Sequence, residues 1–178
     1  MIFDVEHFTG RLKLRRIQLT DLEDMFEYTS QKSITKHLVW EAHEEKTKTS
    51  NFIKNCIEKY DSESNEYTYG IEHSGSGKLI GSIHVFDISY LSKRYEISYI
   101  LNERYQRQGL MKEALSHFIR FSFKKLEFHR AQAKCSKDNL ASAKLLEASG
   151  MRREGIHKDY WLINQKYEDV LSYAVINQ

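Results

Sequence analysis

Apolar and charged residues alternate over positions 11–17, with Leu12 and Leu14 on one side and Lys13 and Arg15 on the other. That is the period-two pattern of a half-buried strand. Thr20-Asp21-Leu22-Glu23 follows with capping-box spacing, hydroxyl and carboxylate each able to serve a free backbone N–H. It predicts a helix carrying Leu22, Met25 and Phe26. Residues 34–43 are less regular and hold Trp40. Over residues 46–60 the period becomes helical, since Phe52, Ile53, Cys56, Ile57 and Tyr60 form one stripe, with Thr47 or Thr49 placed to cap it. Residues 67–73 and 78–87 are rich in β-formers, and Ser74-Gly75-Ser76-Gly77 between them predicts an antiparallel hairpin.

The centre of the chain carries the strongest sequence of patterns. Residues 95–101 alternate as a strand, 102–108 are polar, Gly109 follows, and from 111 to 126 Met111, Ala114, Leu115, Phe118, Ile119, Phe123 and Leu126 recur at helical spacing. Residues 130–135 alternate again, placing Ala131, Ala133 and Cys135 together. Strand, helix, strand implies a parallel pair with a right-handed crossover, and ligands of open α/β sheets bind outside the carboxyl ends of such strands. Asp138 and Asn139 can cap a helix over 140–149 that Gly150 stops. Strands at about 151–161 and 169–176 complete the chain. The pattern predicts a mixed-sheet α/β protein of order β-α-α-β-β-β-α-β-α-β-β, with no repeat or linker dividing residues 1–178, hence a single domain.

The 102–110 loop is where chemistry first enters. The first turn of a helix presents unpartnered N–H groups and the positive end of the macrodipole, and a preceding glycine lets an anion approach the backbone. A pyrophosphate suits such a place. The loop lacks both the Lys-Ser/Thr pair of a triphosphate loop and the three glycines of a dinucleotide loop. On spacing alone, an ordinary strand-to-helix turn remains open beside the anion site.

Composition narrows the class. The 178 residues suffice for a sizeable core, and 27 basic against 25 acidic residues give no polyanion-binding bias. Cys56 and Cys135 are too isolated for a disulfide framework or a zinc site, which fits a reducing compartment. No apolar run approaches the roughly 18 residues of a spanning helix, and Asp4, Glu6 and His7 interrupt any signal peptide. The expected location is therefore cytoplasmic, without membrane or direct nucleic-acid contact. The eight histidines show no paired metal spacing.

Tyr95-Glu96-Ile97-Ser98-Tyr99, followed by Tyr105-Gln106-Arg107-Gln108-Gly109-Leu110-Met111-Lys112-Glu113-Ala114-Leu115, resembles the acetyl-CoA motif of the GNAT superfamily of N-acetyltransferases, Gln/Arg-x-x-Gly-x-Gly/Ala. The RimJ/RimL subgroup, which acetylates N-termini of ribosomal proteins, is the most similar. Gly10-Arg11-Leu12-Lys13-Leu14-Arg15, Asn139-Leu140-Ala141-Ser142, Leu145-Leu146-Glu147-x-x-Gly150-Met151, Glu154-Gly155 and Tyr167-x-Asp169 continue that resemblance along nearly the whole chain. Met111 departs from it, standing where the superfamily has Gly or Ala.

The resemblance implies the GNAT fold, acetyl-CoA as co-substrate and no metal. It also implies a cofactor site formed by Ile100, Leu101, Gln106, Arg107, Gln108, Gly109, Leu110, Met111 and Asn139. Glu96 matches a glutamate that acts as general base in some members. A solvated or salt-bridged carboxylate is the alternative at that position. Ser142 matches the serine beside the thioester sulfur, the proton donor to the leaving thiolate; a hydroxyl satisfied by helix backbone is the alternative. The implied acceptor is a protein N-terminal amine, a ribosomal protein's among them. A small amine such as a polyamine, aminoglycoside or amino acid, and a non-catalytic CoA-binding or RNA-associated module, remain as rivals. A homodimer is compatible with the resemblance. In the family the helical pair at 20–60 overlies the substrate cleft, so Trp40 and His43 are open to two readings: acceptor contact, or packing for Trp40 and solvation for His43.

Overall fold

The computed structural model describes residues 6–62 and 64–178. Asp4, invoked above at the chain start, lies outside them. Eight strands form one sheet in the order β1-β2-β3-β4-β5-β6-β8-β7: β1 (His7–Phe8), β2 (Leu12–Arg16), β3 (Tyr67–His73), β4 (Leu79–Ser89), β5 (Arg94–Leu101), β6 (Arg130–Ser136), β7 (Arg152–Ile163) and β8 (Lys166–Ile176). Five helices accompany them: α1 (Leu22–Thr29), α2 (Lys32–Thr35), α3 (Lys46–Tyr60), α4 (Leu110–Lys125) and α5 (Leu140–Ala148). The expected α/β class and element order hold, with β1 and α2 added.

Every adjacent pair is antiparallel except β5 and β6. Those two pair only from Arg94 with Arg130 to Glu96 with Gln132, although β5 continues to Leu101 and β6 to Ser136. Their facing edges therefore part beyond Glu96. Each strand is held on its outer side, β5 by β4 and β6 by β8, so the parting does not unravel the sheet.

Helices cover both faces. On one, Phe118 of α4 packs on Tyr69 and Tyr95 at ring separations of 5.4 and 6.0 Å, and Ser142 of α5 meets Tyr99. On the other, Tyr28 of α1 is buried beside Ser82 and Cys56 of α3 meets Thr68. Strand alternation places Tyr95, Ile97 and Tyr99 toward α4, and Glu96, Ser98 and Ile100 toward α1. Gly81 of β4 lies opposite Leu101, and a Cβ there would stand 2.4 Å from the Ile100 carbonyl. Glycine thus sets how closely β4 supports the end of β5.

Two capping expectations are corrected. The capping box lies in the 3-10 turn Leu19–Asp21 before α1, between Gln18 and Asp21 and not Thr20 and Glu23: Asp21 Oδ2 accepts from Gln18 N at 2.7 Å while both oxygens hold the Arg15 guanidinium at 2.8 Å. Thr20 Oγ1 instead reaches Gln18 Oε1. Thr49 does not cap α3 either. It is buried and bonded to His43 Nδ1 at 2.7 Å and Thr29 Oγ1 at 3.2 Å. The solvated reading of His43 is overturned by the same contacts. Burial pushes its pKa down, and it fastens the α2–α3 connection to α1 beside the Trp40 ring, 5.4 Å away.

Candidate active site

At the end of β5, Asn102 is buried and serves three partners: its N–H donates to Ile80 O at 2.8 Å, its Oδ1 accepts from Arg104 N at 3.1 Å, and its Nδ2 donates to Glu27 Oε1 at 3.1 Å. The loop is thereby tied to β4 and α1. Gln106 Nε2 donates to Leu101 O at 3.1 Å and Gln108 Nε2 to Arg104 O at 2.9 Å. The two glutamine side chains thus brace the loop rather than projecting from it.

Gly109 adopts φ 75°, ψ 1° as the N-cap of α4, a left-handed conformation that glycine takes without steric cost. The first helical amide to find a carbonyl is that of Glu113, donating to Gly109 O at 3.0 Å. The amides of Leu110, Met111 and Lys112 precede it and have no carbonyl one turn back. Leu110 and Met111 bury their side chains, at 2% and 6% exposure. The large residue at 111 therefore points into the core and leaves the helix mouth clear. Arg11 was not singled out by sequence. Its Nη1 donates to Gln108 O at 3.0 Å and its Nε to Glu113 Oε2 at 2.8 Å, putting a guanidinium within 3.6 Å of where a Gly109 Cβ would lie. This cation offsets the negative charge of Glu113 beside the helix mouth.

Glu96 sits where β5 and β6 part. It is only 6% exposed, and its Oε2 is 2.6 Å from Lys134 Nζ on β6, so of the readings left open the ion pair is present. Lys134 was missed by sequence, although the parallel register that pairs Glu96 with Gln132 places it one alternation further along the same face. Ser142 is partly buried on the opposite face. Its Oγ lies 2.7 Å from Tyr99 Oη, and its N–H donates to Asn139 Oδ1 at 3.1 Å. Its hydroxyl is thus partnered by a phenol rather than by helix backbone. Burial holds the Tyr99 phenol well above the usual range. Asn139 is the N-cap of α5, and Ile100 and Leu101 line the end of β5. Gln106 to Met111 thus follow the end of β5 as its loop and the first turn of α4, while Glu96 lies on one face of the sheet and Ser142 on the other. Cys135 is buried, its thiol raised by that burial, as a structural cysteine would be.

Residues 11–152 match the acetyltransferase (GNAT) domain family. The chain belongs to that family. This GNAT acetyltransferase is 28% identical over 170 residues to the uncharacterized N-acetyltransferase YnaD of Bacillus subtilis, covering 96% of each chain. It is 36% identical over 99 residues to the ribosomal-protein-serine acetyltransferase of Escherichia coli, covering 56% of this chain and 55% of that one. To the spermidine N(1)-acetyltransferase of Vibrio cholerae it is 22% identical, covering 90% of both. A GNAT-family acetyltransferase structure from Bacillus anthracis superposes with a TM-score of 0.86 at 26% identity, covering 97% of this chain and 98% of that one. The enzyme is an acetyl-CoA-dependent N-acetyltransferase. Among the described residues no helix is long and apolar enough to cross a membrane, and no group of three His, Cys, Asp or Glu side chains could hold a metal ion.

Proposed function

We propose that this acetyltransferase transfers acetyl from acetyl-CoA directly to a protein N-terminal α-amine, acting as a single domain in the cytoplasm. The carrying observation is the gap between β5 and β6, because it joins the helix mouth on one face to Glu96 on the other. In this reading the amides of Leu110 to Lys112, with Arg11 beside them, hold the diphosphate. The edge of β5 that has no β6 partner beyond Glu96 takes the extended amide arm of the coenzyme beside Ile100 and Leu101. Gln106, Arg107, Gln108 and Gly109 shape the loop. Asn139 orients the helix that presents Ser142.

The acceptor enters from the face of α1 and α3. Glu96 draws its ammonium toward the gap and takes a proton, and the neutral nitrogen attacks the thioester carbon. Carbon–sulfur cleavage then releases a thiolate that receives a proton from Ser142, itself bonded to Tyr99. An α-amine with pKa about 7.7–8.0 is roughly a tenth neutral at pH 7, whereas a lysine at about 10.4 is neutral in only a few molecules per ten thousand. Little help from a base suffices for an N-terminus, and Glu96 in its pair with Lys134 is placed to give it. The name of the Escherichia coli relative supports the same choice.

The test is thiol release from acetyl-CoA with peptides beginning in Ser, Ala, Thr and Met, and with spermidine, followed by mass spectrometry of the product. Acetylation at the peptide N-terminus is expected. Transfer to spermidine alone would replace the acceptor class, and coenzyme binding without transfer to any amine would leave only a binding module.

A further inference from the structure

The acceptor face carries a second acid–base pair next to Glu96. His84 on β4 lies opposite Ser98 of β5, and Phe86 lies opposite Glu96. His84 and Glu96 are thus diagonal neighbours on one sheet face, a relation of about 7–8 Å between backbones that side chains span. His84 Nε2 is 3.1 Å from Glu66 Oε2, and the other oxygen of Glu66 is bonded to Lys59 Nζ of α3. Phe86 stacks on the imidazole at 5.1 Å.

The chemistry of this chain of groups fixes the tautomer. Lys59 holds the Glu66 carboxyl below its usual range, so that it is an ionised acceptor, and Nε2 must be the donor to it. Burial, reinforced by the Lys59 charge, outweighs Glu66 and lowers the imidazole pKa. At neutral pH His84 is therefore uncharged, with its proton on Nε2 and a lone pair on Nδ1. The side chain is 37% exposed, and Glu66 occupies Nε2 rather than Nδ1. The charged groups facing it are Glu66 and Lys59, with Glu96 and its partner Lys134 beyond Ser98.

We propose that His84, aligned by Glu66, is a further catalytic residue that accepts a proton from the acceptor amine. The proposal rests on the acetyltransferase reading above. Two protons leave nitrogen in each turnover, one from the ammonium and one from the nitrogen that has bonded to carbon, while one arrives on sulfur. Glu96 in its ion pair is one acceptor, and His84 Nδ1 supplies the second on the same face. His84 and Glu96 return their protons to solvent, solvent restores the one that Ser142 gave to sulfur, and Glu66 acts as the positioning residue.

The experiment compares wild type, His84→Gln and Glu66→Gln with acetyl-CoA and a peptide beginning in Ser, measuring kcat/KM from pH 5.5 to 8.5. The wild-type to His84→Gln rate ratio cancels the acceptor's own ionisation. It should rise to about 10²-fold with its inflection below pH 6.5, while KM for acetyl-CoA is unchanged. Glu66→Gln should move the inflection. Nitrogen-15 NMR of the imidazole should give the neutral Nε2–H tautomer at pH 7. A ratio that does not change with pH, or an Nδ1–H or doubly protonated ring at pH 7, would overturn the proposal. Absence of transfer by wild type to any amine would instead overturn the enzyme reading on which it rests.

Discussion

Gly109 is the position at which one side chain decides most. Its φ of 75° costs an L-residue roughly 1–2 kcal/mol, and a carboxylate there would sit against the amides that await an anion. Gly109→Glu should therefore abolish acetyl-CoA binding by calorimetry while far-ultraviolet circular dichroism stays native; unaltered affinity would remove the loop from the site. Glu96 makes a different demand, because its carboxylate is shared with Lys134. Glu96→Gln should lower turnover most at low pH, where protonated His84 can no longer substitute. A pH–rate profile superimposable on that of wild type would assign the proton to another group. Ser142 shows how a residue's partner redefines it. Its hydroxyl meets Tyr99, and because burial keeps that phenol protonated it donates to the serine oxygen when Ser142 gives up its proton, which solvent then restores.

At the scale of elements, what periodicity made legible was the order of strands and helices, and the glycine turn between β5 and α4. What it did not show were contacts made across the sequence. Thr20 looked like a cap because of its spacing to Glu23, yet Asp21 is recruited by Arg15 from the preceding strand, a partner no local window contains. The β7–β8 hairpin ran longer than the pattern suggested because Asn164 and Gln165 both take positive φ, 48° and 63°. They close a two-residue turn without the glycine that usually announces one. The Glu96–Lys134 pair needed the parallel register, which alternation within a single strand cannot provide. The Arg15–Asp21 pair is buried and bidentate. Asp21→Ala, which leaves the buried Arg15 with only Glu72 and the Arg16 carbonyl as partners, should cost about 1–3 kcal/mol by chemical denaturation. A loss under 1 kcal/mol would mean that water or Glu72 satisfies the cation.

Across the whole molecule, four histidines share one tendency. His7, His43, His84 and His117 all have pKa values pushed below the ordinary 6.5, each chiefly by burial. The unfolded chain thus binds protons that the folded one refuses. Their contribution to stability is complete above about pH 6.5 and is lost as pH falls through the lowered folded values. The carboxyls of Glu27, Glu66, Glu113 and Glu154, lowered from 4.5, withdraw support only in a more acidic range. The melting temperature should accordingly begin to fall as pH drops below about 6.5, and His43→Gln should flatten that part of the curve; an unchanged slope would exclude His43 as a contributor.

Three paired positions and then divergence is all that β5 and β6 share, and this shapes how the free and loaded enzyme differ. Amide hydrogens along the diverging edges have no neighbouring strand to shield them. Deuterium should enter there early in the empty protein and slowly once the coenzyme bridges the two strands. The ligand would then act as the missing rung of the ladder, and its departure would reopen the sheet without moving any helix.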